Sequence, residues 1–390
     1  MKICVISPGV VHAVPRTMAL AGQFDEIHFI DAVGRADRKV LASHQVIYHG
    51  PQRGAAILKA AELRTLLDTL KPDAIVCHYA SGDHFFGAIA YGRCPVATIT
   101  MGHDVLYSEG DAVIPELRRV LTRAGLRRSH YIAAKSRFLA ERLRSYGVRT
   151  PIDVNYWGAD LERYCPGGKI EARRTLGLDQ EGPIILSPRA IEPRLNIHLI
   201  VEAFRGVLAK YPKASLVILG RSTPGCKAGL TETIARLGLT RATVMRDEVS
   251  EDTLVQYYRA SDVVVSVGSS EGFPNTVLEV MACRVPVVIG RIPQIEELLD
   301  DGRNAWICDI ALQPLTEAIL DVLGDSQKTQ RICGAAYETA RTHADIKKNG
   351  IIFSNGLKQA VAAYRTGFRP NILPFRMLYA AFRIHRKIFR

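Results

Sequence analysis

The chain has 390 residues but no Cys-x-x-Cys pair and no cysteine and histidine set at zinc-ligand spacing, which excludes the zinc modules a sequence can reveal. Its eight cysteines (Cys4, Cys77, Cys94, Cys165, Cys226, Cys283, Cys308 and Cys333) are scattered through mostly apolar segments, as buried thiols are in a reducing cytosol. No apolar run approaches the roughly 18 residues of a membrane span. The N-terminal run resembles a signal peptide only briefly, because Pro8, Gly9 and His12 break its apolar core. Repeats and low-complexity segments are also missing, so neither a solenoid nor a disordered tail is expected. These absences describe a cytoplasmic globular protein, long enough for two cores.

Acidic residues are in deficit, 39 against 51 Lys and Arg, for a net charge of +12 and a pI near 9.4. Nucleic acid, an anionic membrane surface and an anionic substrate all fit that balance. No nucleic-acid module is recognisable, so no nucleic-acid partner is expected. Two basic stretches keep the membrane reading open. In 115–128, Leu117, Val120, Leu121 and Ala124 form an apolar side while Arg119, Arg123 and Arg127 recur at four-residue spacing. The segment 368–390 has no acidic residue and interleaves Arg369, Arg376, Arg383, Arg386, Lys387 and Arg390 with Phe368, Phe375, Leu378, Tyr379, Phe382 and Phe389. Such a stretch reads as an interfacial helix at the inner face of the cell membrane; the alternative is a helix packed on the first domain with its arginines in water.

What is present is a long alternation of short apolar strands with helical patterns, the mark of parallel sheets covered on both faces. Strands are expected at Lys2–Ser7, Glu26–Asp31, Gln45–Tyr48, Asp73–Cys77, Pro95–Thr100, Tyr131–Ala134 and Ile152–Tyr156. A second series is expected at Ile184–Pro188, Ser215–Gly220, Thr243–Met245, Asp262–Val267, Pro286–Ile289 and Ala305–Cys308. Pro166-Gly167-Gly168 reads as a linker. The expected domains are 1–166 and 167–350, with 351–390 a C-terminal helix and basic tail crossing back to the first. In doubly wound sheets ligands bind beyond the carboxyl ends of the strands. Pro8, Gly9, His78, His103 and Asp104 should therefore share one rim.

The stretch most suited to chemistry is 269–283. The run Glu271-Gly272-Phe273 leaves one buried strand and feeds a helix in which Pro274 suits the first position and Gly272 allows a sharp turn. Free N–H groups and the helix dipole make that point an anion site, with a phosphate or diphosphate as the fitting guest. Glu271 and Glu279 flank it, and carboxylates there suit hydroxyls rather than phosphate.

These residues resemble the retaining, nucleotide-sugar-dependent family 4 glycosyltransferases. Glu271 and Glu279 match the family's E-x7-E motif, within Ser270-Glu-Gly-Phe-Pro-Asn-Thr-Val-Leu-Glu-Val-Met-Ala-Cys283 and followed by Pro286-Val-Val. Ser187-Pro-Arg189 with Asn196–Phe204 is similar to its arginine-bearing strand-to-helix loop, and Val217-Ile-Leu-Gly220 to the next strand end. Tyr156-Trp-Gly158-Ala-Asp160 is similar to the segment closing its first domain. The resemblance implies a GT-B architecture, two Rossmann-like domains facing a central cleft. It implies a UDP-, GDP- or ADP-sugar donor in the second domain and a glycan or lipid-linked acceptor held by the first.

Carried to matching positions, the resemblance makes Arg189 and Glu271 catalytic, with His103 from the first domain. Donor binding falls to Arg189, Gly220, Gly272, Phe273, Pro274, Asn275 and Thr276, with Glu271 on sugar hydroxyls and Glu279 on the ribose. The family's phosphate-binding lysine is missing and Arg194 stands near its place, while Met101 and Arg284 replace a histidine and a glycine. There is no Asp-x-Asp motif, in keeping with the family's metal-independent habit, so no metal or other cofactor is expected. The alternative is a catalytically silent relative that binds a nucleotide-sugar or scaffolds other enzymes at the membrane.

Overall fold

The computed structural model describes residues 1–9, 12–34, 36–50, 60–106, 116–222, 224–367 and 371–388. The chain divides into two compact units, Met1–Trp157 with Ile346–Arg390, and Gly158–Asp345. The first holds a seven-stranded sheet of β1 (Lys2–Ser7), β2 (Glu26–Asp31), β3 (Val46–His49), β4 (Ala74–His78), β5 (Val96–Ile99), β6 (Tyr131–Ala134) and β7 (Ile152–Val154), in the order β3-β2-β1-β4-β5-β6-β7. The second holds six strands, β8 (Ile184–Ser187), β9 (Ser215–Leu219), β10 (Thr243–Arg246), β11 (Val263–Ser266), β12 (Val287–Gly290) and β13 (Trp306–Cys308), ordered β10-β9-β8-β11-β12-β13. Every strand pair is parallel. The apolar runs thus become strands buried on both faces, as parallel sheets require.

The division falls at 157/158 and 345/346 rather than at the expected 166/167 and 350/351. The reason lies in packing. Trp157 is fully buried against Phe353, their rings 5.2 Å apart. Asn349 Nδ2 donates to the Trp157 carbonyl at 3.0 Å, and Asn155 Nδ2 donates to the Asn349 carbonyl at 2.9 Å. The helix Ile346–Arg365 is thereby bound into the first unit. Pro166-Gly167-Gly168 lies well inside the second unit, where Arg259 Nε donates to the Cys165 carbonyl at 3.0 Å. A Cβ on Gly167 would stand 2.5 Å from Arg259 Cδ.

The arginines of the first basic stretch make contacts within the first unit. In the helix Glu116–Leu126, Arg119 pairs with Glu116 at 3.4 Å. Arg123 lies over the Tyr146 ring at 4.5 Å, and Arg127 Nε donates to the Tyr146 carbonyl at 2.6 Å. Val120, expected on the apolar side, is exposed. The helix Leu373–Ile388 turns Phe375, Tyr379 and Phe382 into the core of the first unit around Phe86. These aromatics are committed to packing and are not available to a membrane surface. Phe368, Arg369, Phe389 and Arg390, together with the side chains of Arg386 and Lys387, lie outside the described residues, as does Pro115. Among the described residues no helix is long and apolar enough to cross a membrane.

Phe375 is 1 % exposed whereas Met377, on the same helix, is 67 % exposed. Phe375→Ala should lower the unfolding free energy by about 3–5 kcal/mol, and Met377→Ala should change it by no more than about 0.5 kcal/mol. Urea titration of the two variants measures both values.

Candidate functional site

In the second unit the strand order reverses between β8 and β11, so the loops leaving their carboxyl ends open side by side at the switch point. One loop carries Arg189 and Arg194, the other Glu271. Arg189 Nη2 is paired with Glu271 Oε1, and its Nη1 donates to Thr276 Oγ1 at 3.1 Å. Arg194 Nη1 lies 3.9 Å from the same Glu271 oxygen and its Nη2 is 2.9 Å from Glu192. Burial, with Arg194 second, pushes the Arg189 pKa down to about 10. It therefore keeps its charge at neutral pH.

The two loops are fixed to each other by backbone. Ser269 donates twice to the Arg194 carbonyl, from N–H at 2.9 Å and Oγ at 3.1 Å. Asn196, at φ +53, donates from Nδ2 to the Val267 carbonyl at 2.8 Å. Gly220 at the end of β9 has φ +142, and a Cβ there would sit 2.9 Å from the Arg189 backbone. The Arg189 loop thus crosses a strand end that only glycine leaves clear.

The helix Asn275–Ala282 starts at this point with every residue buried. Pro274 is its N-cap, with extended ψ 122, rather than its first helical residue. Gly272 is not among the residues with positive φ, so the loop turns without using glycine's special freedom. Phe273 is 1 % exposed and packs the loop inward; Asn275 Nδ2 donates to the Gly158 carbonyl at 3.4 Å. Glu279 Oε2 accepts from Tyr258 Oη at 2.8 Å. Burial, and next the charge of Glu279, pushes the Tyr258 pKa well above its ordinary value, so the phenol stays a donor.

Two site residues escaped the sequence reading. Tyr258 orients Glu279, and Gln294, 2 % exposed, donates from Nε2 to the Glu271 carbonyl. Neither lies in a motif, and their distance in sequence from their partners gave no signal.

In the first unit the reversal falls between β1 and β4. Pro8 and Gly9 follow β1, and the Gly9 N–H donates to Ser7 Oγ at 3.2 Å. His78 ends β4 fully buried; burial, then the charge of Arg16, holds its pKa well below the usual value. Asp104 accepts the N–H groups of Ala80 at 2.7 Å and of Met101 and Gly102 at 2.9 Å. Its carboxylate ties together the loops that follow β4 and β5 rather than facing outward. His103, its neighbour, is half-buried. Arg16, which the sequence did not single out, is fully buried with Nη1 2.7 Å from Met101 Sδ. Among the described residues no group of three or more His, Cys, Asp or Glu is placed to hold a metal ion.

Solved structures of the same shape define the class. Anabaena HepE, with UDP and glucose, aligns with a TM-score of 0.75 at 19 % identity, over 92 % of this chain and 100 % of that one. A sucrose-phosphate synthase from Thermosynechococcus elongatus aligns at 0.78 and 16 %, over 93 % and 100 %. The fold is GT-B. The family model for Glycosyltransferase Family 4 matches residues 17–163, and that for Glycosyl transferases group 1 matches 168–339. The chain thus carries a Glycosyltransferase Family 4 domain followed by a Glycosyl transferases group 1 domain.

A D-inositol 3-phosphate glycosyltransferase of Rhodococcus opacus is 29 % identical over 219 residues, covering 54 % of this chain and 49 % of its own length. One of Nocardia farcinica is 28 % identical over 243 residues, covering 60 % and 54 %. The chain spans about half the length of these curated relatives.

Gly220→Ala should destabilise the fold by roughly 1–3 kcal/mol, because strain at positive φ adds to the approach to Arg189. Gly177→Ala, at φ +64 with nothing within 4 Å, serves as the control for strain alone. Equal losses in urea unfolding would remove the close approach from the account.

Proposed function

We propose that the chain is a retaining glycosyltransferase that moves a hexose-type sugar from a nucleotide diphosphate to a glycan or lipid-linked acceptor in polysaccharide or glycoconjugate synthesis. The observation that carries this reading is the pairing of Arg189 with Glu271 beside Thr276, at a helix N-terminus and a topological switch point. That helix end suits a diphosphate through its N–H groups and dipole. On this reading the donor's phosphates take Arg189 from Glu271, leaving Glu271 to accept from sugar hydroxyls. Arg194, already within 3.9 Å of Glu271, adds the second positive charge in place of a lysine.

Charge leaves with the nucleotide diphosphate while the sugar becomes oxocarbenium-like, so fixed cations at the phosphates lower the barrier. These two guanidiniums meet that demand without a metal in this proposal. Glu279 is to hold the ribose, its Oε2 fixed by Tyr258. No side chain is assigned as a covalent nucleophile; the departing phosphate takes the acceptor's proton as the bond to the acceptor oxygen forms on the same face. His103 is assigned to the acceptor side of the first unit.

The relatives' names support glycosyl transfer, and the UDP in HepE supports a nucleotide-sugar donor. A thermal-unfolding screen against nucleoside diphosphates and their sugars should find a stabilising donor, worth about 2.7 kcal/mol at a hundred times its dissociation constant. Arg189→Ala and Glu271→Gln should each abolish transfer in a folded protein, and EDTA should leave wild-type transfer unchanged. Full activity in either variant would refute the assigned site. Donor binding with no transfer to any acceptor would instead make the chain a silent relative.

A further inference from the structure

The first unit holds a cavity of about 280 Å³ that the donor reading does not use. Its polar wall is Arg93, Arg128, His130 and Tyr364, and its apolar wall includes Val96 and Ile372. It lies where β5 begins at Val96 and where His130 leads into β6, at the amino ends of the strands. The rim bearing Gly9, His78 and His103 is at their carboxyl ends. Among the described residues no aspartate or glutamate lines it.

Two groups in this wall, Arg93 and Arg128, favour a negative guest, and the ring of His130 stands beside them. The Val96 N–H donates to His130 Nδ1 at 3.1 Å, so in the neutral ring the proton sits on Nε2. Burial pushes the His130 pKa down to about 4, and the ring is neutral at physiological pH. Nε2 is buried and makes no hydrogen bond among the described residues. The ring packs edge-on against Tyr364, centroids 5.0 Å apart, and offers the cavity an uncharged wall.

Arg128 is held by carbonyls, from Nε to Asn371 at 3.2 Å and from Nη1 to Ala124 at 3.0 Å. Those bonds fix the guanidinium in place without neutralising it. Arg93 pairs through Nη1 with Asp68, which is not part of the wall. Gly92, at φ +62, keeps the mouth open: a Cβ there would stand 3.2 Å from Ile372 Cγ1 and 3.5 Å from Arg376 Nη2.

We propose that this cavity is a second ligand site, for a small organic anion whose carboxylate or phosphate meets Arg93 and Arg128, while its apolar body lies on Val96, Ile372 and the ring of His130. Such a ligand would brace the helices Asp83–Tyr91 and Ile346–Arg365, which border the cavity through Ile89 and Tyr364, and Ile372 just before the helix Leu373–Ile388. It is a site for regulation or stabilisation, independent of the donor site.

The test uses the full chain carrying Arg189→Ala, so that phosphate binding at the second unit is weakened, with phenyl phosphate and benzoate as probes. Sodium chloride at matched ionic strength is the control. One or both probes should raise the unfolding temperature saturably and bind in calorimetry, and the stronger of the two names the ligand's charged group. Arg93→Gln, at a half-exposed side chain, should weaken binding by roughly tenfold, the loss of one charge-assisted contact. The proposal fails if neither probe exceeds the salt control, or if Arg93→Gln binds as tightly as its parent. Loss of the shift on saturation with UDP would also overturn it, by placing the probe at the donor site.

Discussion

The second unit is organised around one buried ion pair. Arg189 and Glu271, 14 % and 9 % exposed, come from loops 82 residues apart and meet at the point where the strand order reverses. Taking two charges out of water is costly, and their attraction compensates only when the remaining lone pairs and protons are also satisfied. Here Thr276 takes a second bond from Arg189, and Gln294 holds the Glu271 backbone. Gly220 leaves room for the Arg189 loop to pass. A pair so supported holds its geometry, and the proposed function asks each member to exchange its partner, Arg189 for a phosphate and Glu271 for a hydroxyl.

The strands were legible because parallel strands buried on both faces are short continuous apolar runs, and each expected strand is found with ends shifted by a residue or two. Glu271 and Arg189 were picked out by a motif, and the fold brings the two together beside the start of a helix. Backbone detail was not legible. Pro274 stands one step outside the helix, and Arg284 takes φ +57 with its guanidinium 4.3 Å above the Tyr337 ring. A favourable stacking contact thus accompanies a conformation that glycine would adopt more readily. Tyr258 and Gln294 were invisible because only tertiary packing brings them to their carboxylate and carbonyl.

The unit boundary and the basic stretches misled for a shared reason: composition reports what a segment is made of and not which face it buries. Pro166-Gly167-Gly168 has the composition of a linker but packs against Arg259. The aromatics of the C-terminal helix have the composition of a membrane anchor, yet they complete a core begun by Phe85 and Phe86. Periodicity alone fits both uses of an aromatic stripe, and only the presence of a receiving surface chooses between them.

The first unit is not one continuous piece of chain. It closes only when the residues after Asp345 return to Trp157, Tyr131 and Phe86. During synthesis, then, the second unit can emerge whole and fold while the first still lacks Phe353, Phe375 and Phe382. Its sheet waits with part of both apolar faces uncovered, a state prone to association with other chains. The units are completed in the reverse of the order in which they begin, so the unit begun earlier is the later to become stable.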